Sequence, residues 1–377
     1  MYNRNYVTTM NEKIFEECMD LRHQGKFVVG TYCAFTPKEL IVAAGGIPVS
    51  LCAGSYESAK KSEVHLPRNL CDLIKSSYGH GLSDTCPYFH YSDTLIADAT
   101  CDGKKKMFEL LSNIKPVHVL DLPQTYETEE SHMYFKNELK KMQTYIEKNH
   151  KTEITNDTLN EAIKQYNRLR EVTVELYELN KGGNALAYGR EIKAVVEGMS
   201  FECNLPQRIE EIEEAISYFR NRAKGKSNLE GTESKVRVLL TGCPTTHDKL
   251  LNVIEESGGI IVASENCGGL KTIEKMVEED SDDPLLALAR KYLSVACPCM
   301  TPNLDRFEII KRLIKRYQID VVIELTWHAC HTYNAEAIQI KRVVEDNGIP
   351  YLQIETDYSE GDVGQLTTRV EALFEQL

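Results

Sequence analysis

The sequence predicts an α/β protein with two doubly wound parallel-sheet domains and a helical insert. Short apolar runs alternate with longer amphipathic segments near both ends of the chain, and this alternation is typical of parallel strands joined by helices. The middle of the chain, from about 128 to 223, contains no strand-like run. The two alternating parts also share one layout, which indicates an internal repeat.

The first β/α unit is predicted to span residues 1–127. Apolar side chains at helical spacing predict a helix over about 9–24. Another helix begins near Pro37 and ends at the Gly45-Gly46 pair, because proline suits the first turn and glycine the end. A polar stretch over 79–93 is predicted to form turns. The other predicted elements are the strands 26–32, 47–51, 94–97 and 117–120 and the helices 69–78 and 103–113.

Residues 128–234 are predicted to form a helical insert that ends in a linker. The longest amphipathic segment runs from Thr158 to Leu179, with apolar residues at a period near 3.6. The stretch from Arg222 to Ser234 is rich in Lys, Gly, Ser and Glu, a composition typical of a connecting loop.

The second β/α unit is predicted to span residues 235–377. A Gly258-Gly259 pair stands between a helix and a strand, as the Gly45-Gly46 pair does in the first unit. The unit therefore repeats the order of strand, helix, paired glycines and strand. Its predicted elements are the strands 236–241, 260–263, 321–325 and 351–354 and the helices 247–256, 284–293, 304–317, 333–347 and 363–374.

Composition narrows the class of protein. The chain has 377 residues, 42% hydrophobic and 27% charged, as is ordinary for a globular protein. Its net charge of −13 argues against a nucleic-acid partner. No apolar run approaches the ~20 residues that span a bilayer, and the first residues do not resemble a signal peptide. We therefore expect a cytoplasmic protein without a membrane partner, in a compartment that disfavours structural disulfides.

Twelve cysteines in such a chain need an explanation. Four of them, Cys33, Cys101, Cys243 and Cys330, closely follow apolar runs that are predicted to be strands. In parallel α/β sheets, ligands bind at the carboxyl ends of the strands. A single cysteine is ordinarily a small buried hydrophobe, but that explanation is weaker for a set placed at strand ends. The remaining cysteines are Cys18, Cys52, Cys71, Cys86, Cys203, Cys267, Cys297 and Cys299.

The internal repeat sorts these cysteines into two triads. Cys71 precedes Cys101 by 30 residues and Cys299 precedes Cys330 by 31, and each first member stands near a predicted helix start. The predicted triads are Cys33, Cys71 and Cys101 in the first unit and Cys243, Cys299 and Cys330 in the second. Cys297 fits the spacing less well, and Cys267 has no clear counterpart in the first unit. Cys18, Cys52, Cys86 and Cys203 are predicted to be structural.

Three thiolates can hold a cubane iron–sulfur cluster, whereas plain electron carriers usually use four. Helix starts near the cysteines would direct N–H groups at anionic sulfur. The run of three lysines over 104–106 adds positive charge, although such a run is ordinarily a solvated helix face.

Other chemistries remain open. A zinc site could use Cys297, Cys299, His328, Cys330 and His331, but the paired C-x-x-C knuckles of a strong zinc motif are absent. A thiol catalyst built on Cys243 or Cys330 with a nearby histidine is a further alternative. The sequence shows neither a P-loop nor a G-x-G-x-x-G fingerprint.

Four motifs resemble the 2-hydroxyacyl-CoA dehydratase and benzoyl-CoA reductase family over nearly the whole chain. They are VVGTYC at 28–33, PKEL at 37–40, AAGGIP at 43–48 and CDGKKK at 101–106. Dehydratase subunits are similar in carrying one [4Fe-4S] cluster on three cysteines. The second complete triad resembles instead the double-cubane-cluster proteins of this family, in which a bridging sulfide joins two cubanes into an [8Fe-9S] centre.

This resemblance implies a cytoplasmic homodimer from an anaerobe, with one double cluster per subunit in the cleft between the two α/β domains. Cys33, Cys71 and Cys101 would hold one cubane and Cys243, Cys299 and Cys330 the other, with Cys267 and Cys297 not excluded. A separate dimeric iron–sulfur ATPase would supply low-potential electrons for the reduction of small molecules such as acetylene. The absence of a nucleotide motif agrees with a partner that handles ATP.

Two alternatives accompany this expectation. The first is a 2-hydroxyacyl-CoA dehydratase subunit with a [4Fe-4S] cluster, which would eliminate water by way of a ketyl radical on the substrate. The second is an electron-transfer or cluster-storage protein that has no substrate.

Overall fold

Two four-stranded parallel sheets form the framework of the protein, which confirms the predicted α/β class. The computed structural model describes residues 2–197 and 203–377. The strands are β1 Val28–Thr31, β2 Ile47–Ser50, β3 Thr94–Asp98 and β4 Val117–Leu120 in the first sheet, and β5 Val236–Gly242, β6 Gly259–Glu265, β7 Val321–Trp327 and β8 Tyr351–Thr356 in the second.

The two sheets have the same topology. Their strand orders are β2-β1-β3-β4 and β6-β5-β7-β8, which agrees with the internal repeat. In each sheet the chain adds one strand on one side of the first and then crosses to the other side. The crossing creates a switch point between β1 and β3, and between β5 and β7, where open α/β sheets bind their ligands. The strand-end cysteines therefore stand at the switch points of both sheets.

Helices cover the sheets and connect their strands. In the first unit they are α1 Arg4–His23, α2 Lys38–Ala43, α3 Tyr56–Ser62, α4 Asp72–Ser83, α5 Pro87–Tyr91 and α6 Asp102–Leu111. The central helices are α7 Glu129–His150, α8 Asn156–Glu178, α9 Gly189–Glu197 and α10 Leu205–Arg222. The second unit contains α11 Lys249–Glu256, α12 Leu270–Ile273, α13 Pro284–Leu293, α14 Leu304–Tyr317, α15 His331–Asp346 and α16 Val363–Phe374.

Parts of the region predicted to form turns are helical. Helix α4 continues to Ser83, and α5 follows at Pro87–Tyr91. Gly79 lies inside α4, where an added Cβ would stand 1.8 Å from the carbonyl oxygen of Ser58. This glycine permits close packing of α4 against α3, so it does not mark a turn. Helix α1 also begins earlier than predicted, because Asn3 caps it by accepting a hydrogen bond from the Tyr6 amide at 3.2 Å.

The central helices pack against both units. Arg170 of α8 is paired with Glu39 of α2 and donates a hydrogen bond to the hydroxyl of Tyr292 in α13 at 3.1 Å. All three side chains are buried. None of the described helices is long and apolar enough to cross a membrane.

Candidate functional site

A cavity of about 1020 Å³ opens between the carboxyl ends of the two sheets. Its wall includes residues that follow β1, β2 and β3 of the first unit and β5, β6 and β7 of the second. Ten of the twelve cysteines line it. They are Cys33, Cys52, Cys71, Cys86, Cys101, Cys243, Cys267, Cys297, Cys299 and Cys330. All six predicted site cysteines therefore reach one cavity, at the interface of the two units.

One set of these cysteines, named here the helix-end group, consists of Cys71, Cys101, Cys243 and Cys330. The sulfur of Cys330 is hydrogen-bonded to those of Cys243 and Cys71, and Cys71 lies near Cys101. The contact with Cys330 and burial raise the pKa of Cys71. The contact with Cys243 and burial raise the pKa of Cys330, although its contact with Cys71 lowers it. Thiols this close cannot all ionise without a cation to hold them.

Helix starts supply donors to this group. Cys71, Cys101 and Cys330 are the N-cap residues of α4, α6 and α15. The nearby amides of Leu73 and Ile74 oppose the rise in the pKa of Cys71, and backbone amides in the first turns of α6 and α15 oppose it for Cys101 and Cys330. Free N–H groups at a helix start favour anionic sulfur, so each helix stabilises the thiolate of its own N-cap cysteine.

A second set, the loop group, consists of Cys33, Cys267, Cys297 and Cys299. Cys299 donates a hydrogen bond to Cys297 and thereby lowers the pKa of Cys297 to about 7. Burial raises the pKa of Cys33, which has Cys267 and Cys297 among its neighbours. Cys33 also adopts a left-handed backbone conformation, with φ of 70°, which is uncommon for a residue with a Cβ.

Each of the two groups draws cysteines from both units. Cys33 of the first unit lies with second-unit cysteines, while Cys71 and Cys101 lie with Cys243 and Cys330. This division differs from the predicted arrangement of one triad per unit. The cause is visible at the start of α4, where the Asp72 amide donates to the His328 carbonyl at 3.4 Å and so brings Cys71 against the second unit.

Lysine side chains from both units approach the loop group. The ammonium of Lys104 is hydrogen-bonded to Cys33 and lies near the carboxyl group of Asp98. Lys105 and Lys106 are exposed, so the expectation of a solvated helix face is confirmed for those two and is wrong for Lys104. Burial lowers the pKa of Lys104, but Cys33 and Asp98 outweigh it and the net pKa is well above the usual value.

The second cation is Lys271 of α12. Its side chain is fully buried, donates to the hydroxyl of Tyr333 at 2.7 Å and lies 3.4 Å from a carboxylate oxygen of Glu265. The charges of Glu265 and Cys267 raise its pKa despite burial. Tyr333 has cysteines of both groups as charged neighbours, so its ring marks the place where the two groups meet.

Comparing the two β/α units by sequence did not reveal the first-unit counterpart of Cys267. Cys52 stands two residues after β2, and Cys267 stands two residues after β6. Because β2 and β6 occupy equivalent places in the two sheets, these cysteines are related by the repeat, and Cys52 is a charged neighbour of Cys267. Counting residues from the end of each second strand would have revealed this pair. Cys86, also predicted to be structural, lines the cavity as well.

A single metal ion finds no preformed site in the part of the chain that the structure describes, because no three His, Cys, Asp or Glu side chains there come close enough to hold one. The residues of the zinc alternative are divided between the two groups, with Cys297 and Cys299 in one and Cys330 in the other. His328 lies in a separate small pocket beside Asp72. A cubane does not need three side chains to converge on one metal ion, because each thiolate binds a different iron atom.

The cavity also has polar side chains in its wall. Lys291 lines it, donates to the Thr272 carbonyl at 3.0 Å and lies 4.1 Å above the ring of Tyr292. Burial and the charge of Arg170 hold the pKa of Lys291 well below its usual value. Lys291 is therefore a polar group of the cavity wall that is already hydrogen-bonded within the protein.

Comparison with known proteins identifies the family. The chain is 42% identical over 366 residues to the protein named "Putative dehydratase subunit YjiM" of Escherichia coli (strain K12), covering 96% of this chain and 94% of the relative. It is 24% identical to the (R)-phenyllactyl-CoA dehydratase beta subunit of Clostridium sporogenes, over 95% and 93% of the two chains. It is 23% identical to the beta subunit of the (R)-2-hydroxyglutaryl-CoA dehydratase of Acidaminococcus fermentans, over 94% and 93% of the two chains.

These relatives are thus named as dehydratase subunits. The model of the family described as 2-hydroxyglutaryl-CoA dehydratase, D-component, matches residues 33–377. That match begins just after β1 and includes the seven later strands and the central helices. It also includes every cysteine that lines the cavity. The chain belongs to the 2-hydroxyglutaryl-CoA dehydratase D-component family.

Proposed function

We propose that this protein is an iron–sulfur reductase component that carries an [8Fe-9S] double-cubane cluster. A separate, dimeric, ATP-hydrolysing iron–sulfur reductase would supply its electrons, and its substrates would be small molecules such as acetylene. The protein would act as a cytoplasmic homodimer. The proposed ligands are Cys33, Cys71, Cys101, Cys243, Cys299 and Cys330, with Cys267 and Cys297 as further candidates.

The observation that carries this proposal is the number of thiols around one cavity. Ten cysteines line it, whereas one cubane uses three or four. Eight of the ten fall into two groups of four, each large enough for one cubane. Cysteine sulfur as the dominant donor favours iron–sulfur clusters, Cu(I) or Zn over hard cations such as Mg²⁺, and two adjoining groups suit a cluster made of two parts.

The surroundings of the thiols also suit an anionic cluster. Backbone N–H groups at three helix starts point to the helix-end group, and two ammonium groups lie near the loop group. Such donors tune the reduction potential of a bound iron–sulfur cluster. When bound, the cluster would supply low-potential electrons to a molecule in the cavity. The protein's own part would be to hold that molecule in the cavity, beside the thiols.

A dehydratase subunit is the second candidate, and the comparisons favour it. The relatives that match over most of the chain are named as dehydratase subunits. In this alternative the chain holds a single [4Fe-4S] cluster, transfers one electron to an acyl-CoA thioester and eliminates water through a ketyl radical. A paired, non-identical subunit and a bound CoA ester would then be expected.

Iron and sulfide analysis of protein purified without oxygen separates the two candidates. A double cubane predicts about eight irons per chain and a single cubane about four. Acetylene reduction with dithionite, ATP and a purified iron–sulfur ATPase should accompany the higher iron content. About four irons, together with an acyl-CoA that copurifies, would establish the dehydratase alternative. The C203S variant is a suitable control, because Cys203 does not line the cavity.

A further inference from the structure

The two cysteines that do not line the cavity lie against each other. Cys18 is on α1 and is fully buried, and Cys203 stands just before Asn204, the N-cap residue of α10. Their side chains are hydrogen-bonded. The Cys203 sulfur also donates to the Ile14 carbonyl at 3.8 Å. Both cysteines are free thiols in the structure, and Cys203 is partly exposed.

Contacts between α1 and the neighbouring segments keep the two sulfurs close together. Arg208 of α10 is paired with Glu17 of α1 at 3.1 Å, and the Arg208 side chain is fully buried. The hydroxyl of Tyr88 donates to the Asn11 carbonyl of α1 at 3.0 Å, which fixes the same helix beside the pair. Sulfur atoms already in contact need only a small movement to reach the ~2 Å separation of a disulfide.

The charges around the pair favour its reactive form. The hydrogen bond from Cys203 lowers the pKa of Cys18, and the charge of Arg22 lowers it further although burial opposes both. The pKa of Cys203 is raised by the same hydrogen bond and by burial. The pair therefore gives up its first proton more readily than an isolated thiol and its second with more difficulty. Thiolate is the form that attacks disulfides.

We propose that Cys18 and Cys203 form an oxidisable dithiol, a site of reversible disulfide formation that is separate from the cavity. This inference does not depend on the proposed function. In intracellular proteins of mesophiles, disulfides are usually transient and serve redox sensing or catalysis, and a free thiol pair with one partly exposed member fits that use.

A low-molecular-weight disulfide is the oxidant. It reacts first at Cys203, which is partly exposed: the Cys18 thiolate takes the Cys203 proton through their hydrogen bond, and the Cys203 sulfur bonds to one sulfur of the reagent. The other half leaves and, with the proton that Cys18 then gives up, becomes a thiol. The Cys18 thiolate then attacks the Cys203 sulfur and displaces the second half. Two electrons pass from the protein sulfurs to the reagent, which ends as two thiols.

The new bond would join α1 to the start of α10. Helix α1 contributes Val7 and Asn11 to the cavity wall, and α9, which packs against α1, contributes Lys193 and Val196. Oxidation would thus fix the part of the cavity wall that α1 and α9 form. A cross-link between residues 18 and 203 also closes a long loop of the unfolded chain, which raises thermal stability.

Protein purified without oxygen and then incubated with glutathione disulfide tests the proposal. Free thiols are blocked by alkylation and linked peptides are mapped without reduction. We expect a peptide pair joined through Cys18 and Cys203 as the first internal disulfide. The thermal unfolding midpoint should rise with it, and dithiothreitol should reverse both changes.

Variants separate this pair from the cavity cysteines. C18S and C203S should lose the linked peptide and the rise in the unfolding midpoint, whereas C86S should keep both. Iron content measured before and after oxidation shows whether the cavity has been altered. Absence of the Cys18–Cys203 peptide at every ratio of glutathione disulfide to glutathione would falsify the proposal. So would an equal rise of the midpoint in C203S.

Discussion

The sulfur of Cys71 is hydrogen-bonded to the sulfur of Cys330, although the two cysteines belong to different units of the chain. Each is the N-cap residue of its own helix, α4 or α15. The amino ends of two helices therefore converge on one pair of sulfurs, and both helix dipoles favour negative charge between them. This convergence defines the helix-end group. It joins cysteines of both units, whereas each predicted triad takes its cysteines from one unit.

Double serine variants should show which cysteines share a cubane. If the helix-end group and the loop group each hold one cubane, C71S/C330S should retain about as much iron as C71S alone. That is roughly half of the iron in the unsubstituted protein. C33S/C71S should lose nearly all iron, because it removes thiols from both groups. Iron and sulfide analysis measures the result. Retention in C33S/C71S with loss in C71S/C330S would show instead that each cubane is held within one unit.

Replacement of Lys104 should make the bound cluster harder to reduce. Lys104→Met removes the ammonium beside Cys33, so an added electron meets less positive charge. We expect the midpoint potential to become more negative in an EPR-monitored redox titration. Lys105→Met is the matched control, because Lys105 is exposed on the same helix. Equal shifts in both variants would indicate a general effect of surface charge.

Arg306→Met should strongly destabilise the fold. The Arg306 side chain is fully buried and paired with Glu265 at 3.2 Å and with Glu324 at 3.0 Å. Its loss leaves buried carboxylates without their cation, which costs roughly 3–5 kcal/mol. Urea unfolding measures the loss. Arg312→Met is the control: Arg312 is half-exposed and paired with Glu274, so a change below about 1 kcal/mol is expected.

Glu255 should make stability fall as pH rises. Burial raises its pKa from 4.5 to about 7, although Arg190 and the amides of Gly189 and Ile261 lower it. Between these values the folded chain binds more protons than the unfolded chain, so the free energy of unfolding decreases with rising pH, in total by about 3 kcal/mol.

The Glu255→Gln variant isolates this effect. Glutamine cannot ionise, so its stability relative to the unsubstituted protein should increase from pH 5 to pH 8 in urea unfolding experiments. Glu256→Gln is the control because Glu256 is exposed. A constant difference between Glu255→Gln and the unsubstituted protein across this range would contradict the prediction.

Local patterns in the sequence were sufficient to predict the framework of the site. Cys33, Cys101, Cys243 and Cys330 follow buried strands, and the order of apolar runs predicts two parallel sheets whose carboxyl ends carry them. These signals are local: strand period, paired glycines and helix starts. The proposed boundaries near residues 127 and 234 use the same signals and stay a prediction.

Contacts between distant residues could not be predicted in this way. The pairing of Cys71 with Cys330 depends on how the two units meet, which no local pattern records. Lys104 and Lys105 are neighbours in one basic run, and only the packing of α6 decides which of them reaches Cys33. Gly79 suggests a turn until its contact with the Ser58 carbonyl is known. In each case tertiary packing overrides the local preference.

The division of both thiol groups between the two units has a mechanical consequence. A cluster bound to either group would be a covalent cross-link between the two sheets. Loading with iron would then fix the angle between them, and removal by a chelator would leave that junction to side-chain packing alone. Metal content and resistance to limited proteolysis at the junction should therefore rise and fall together.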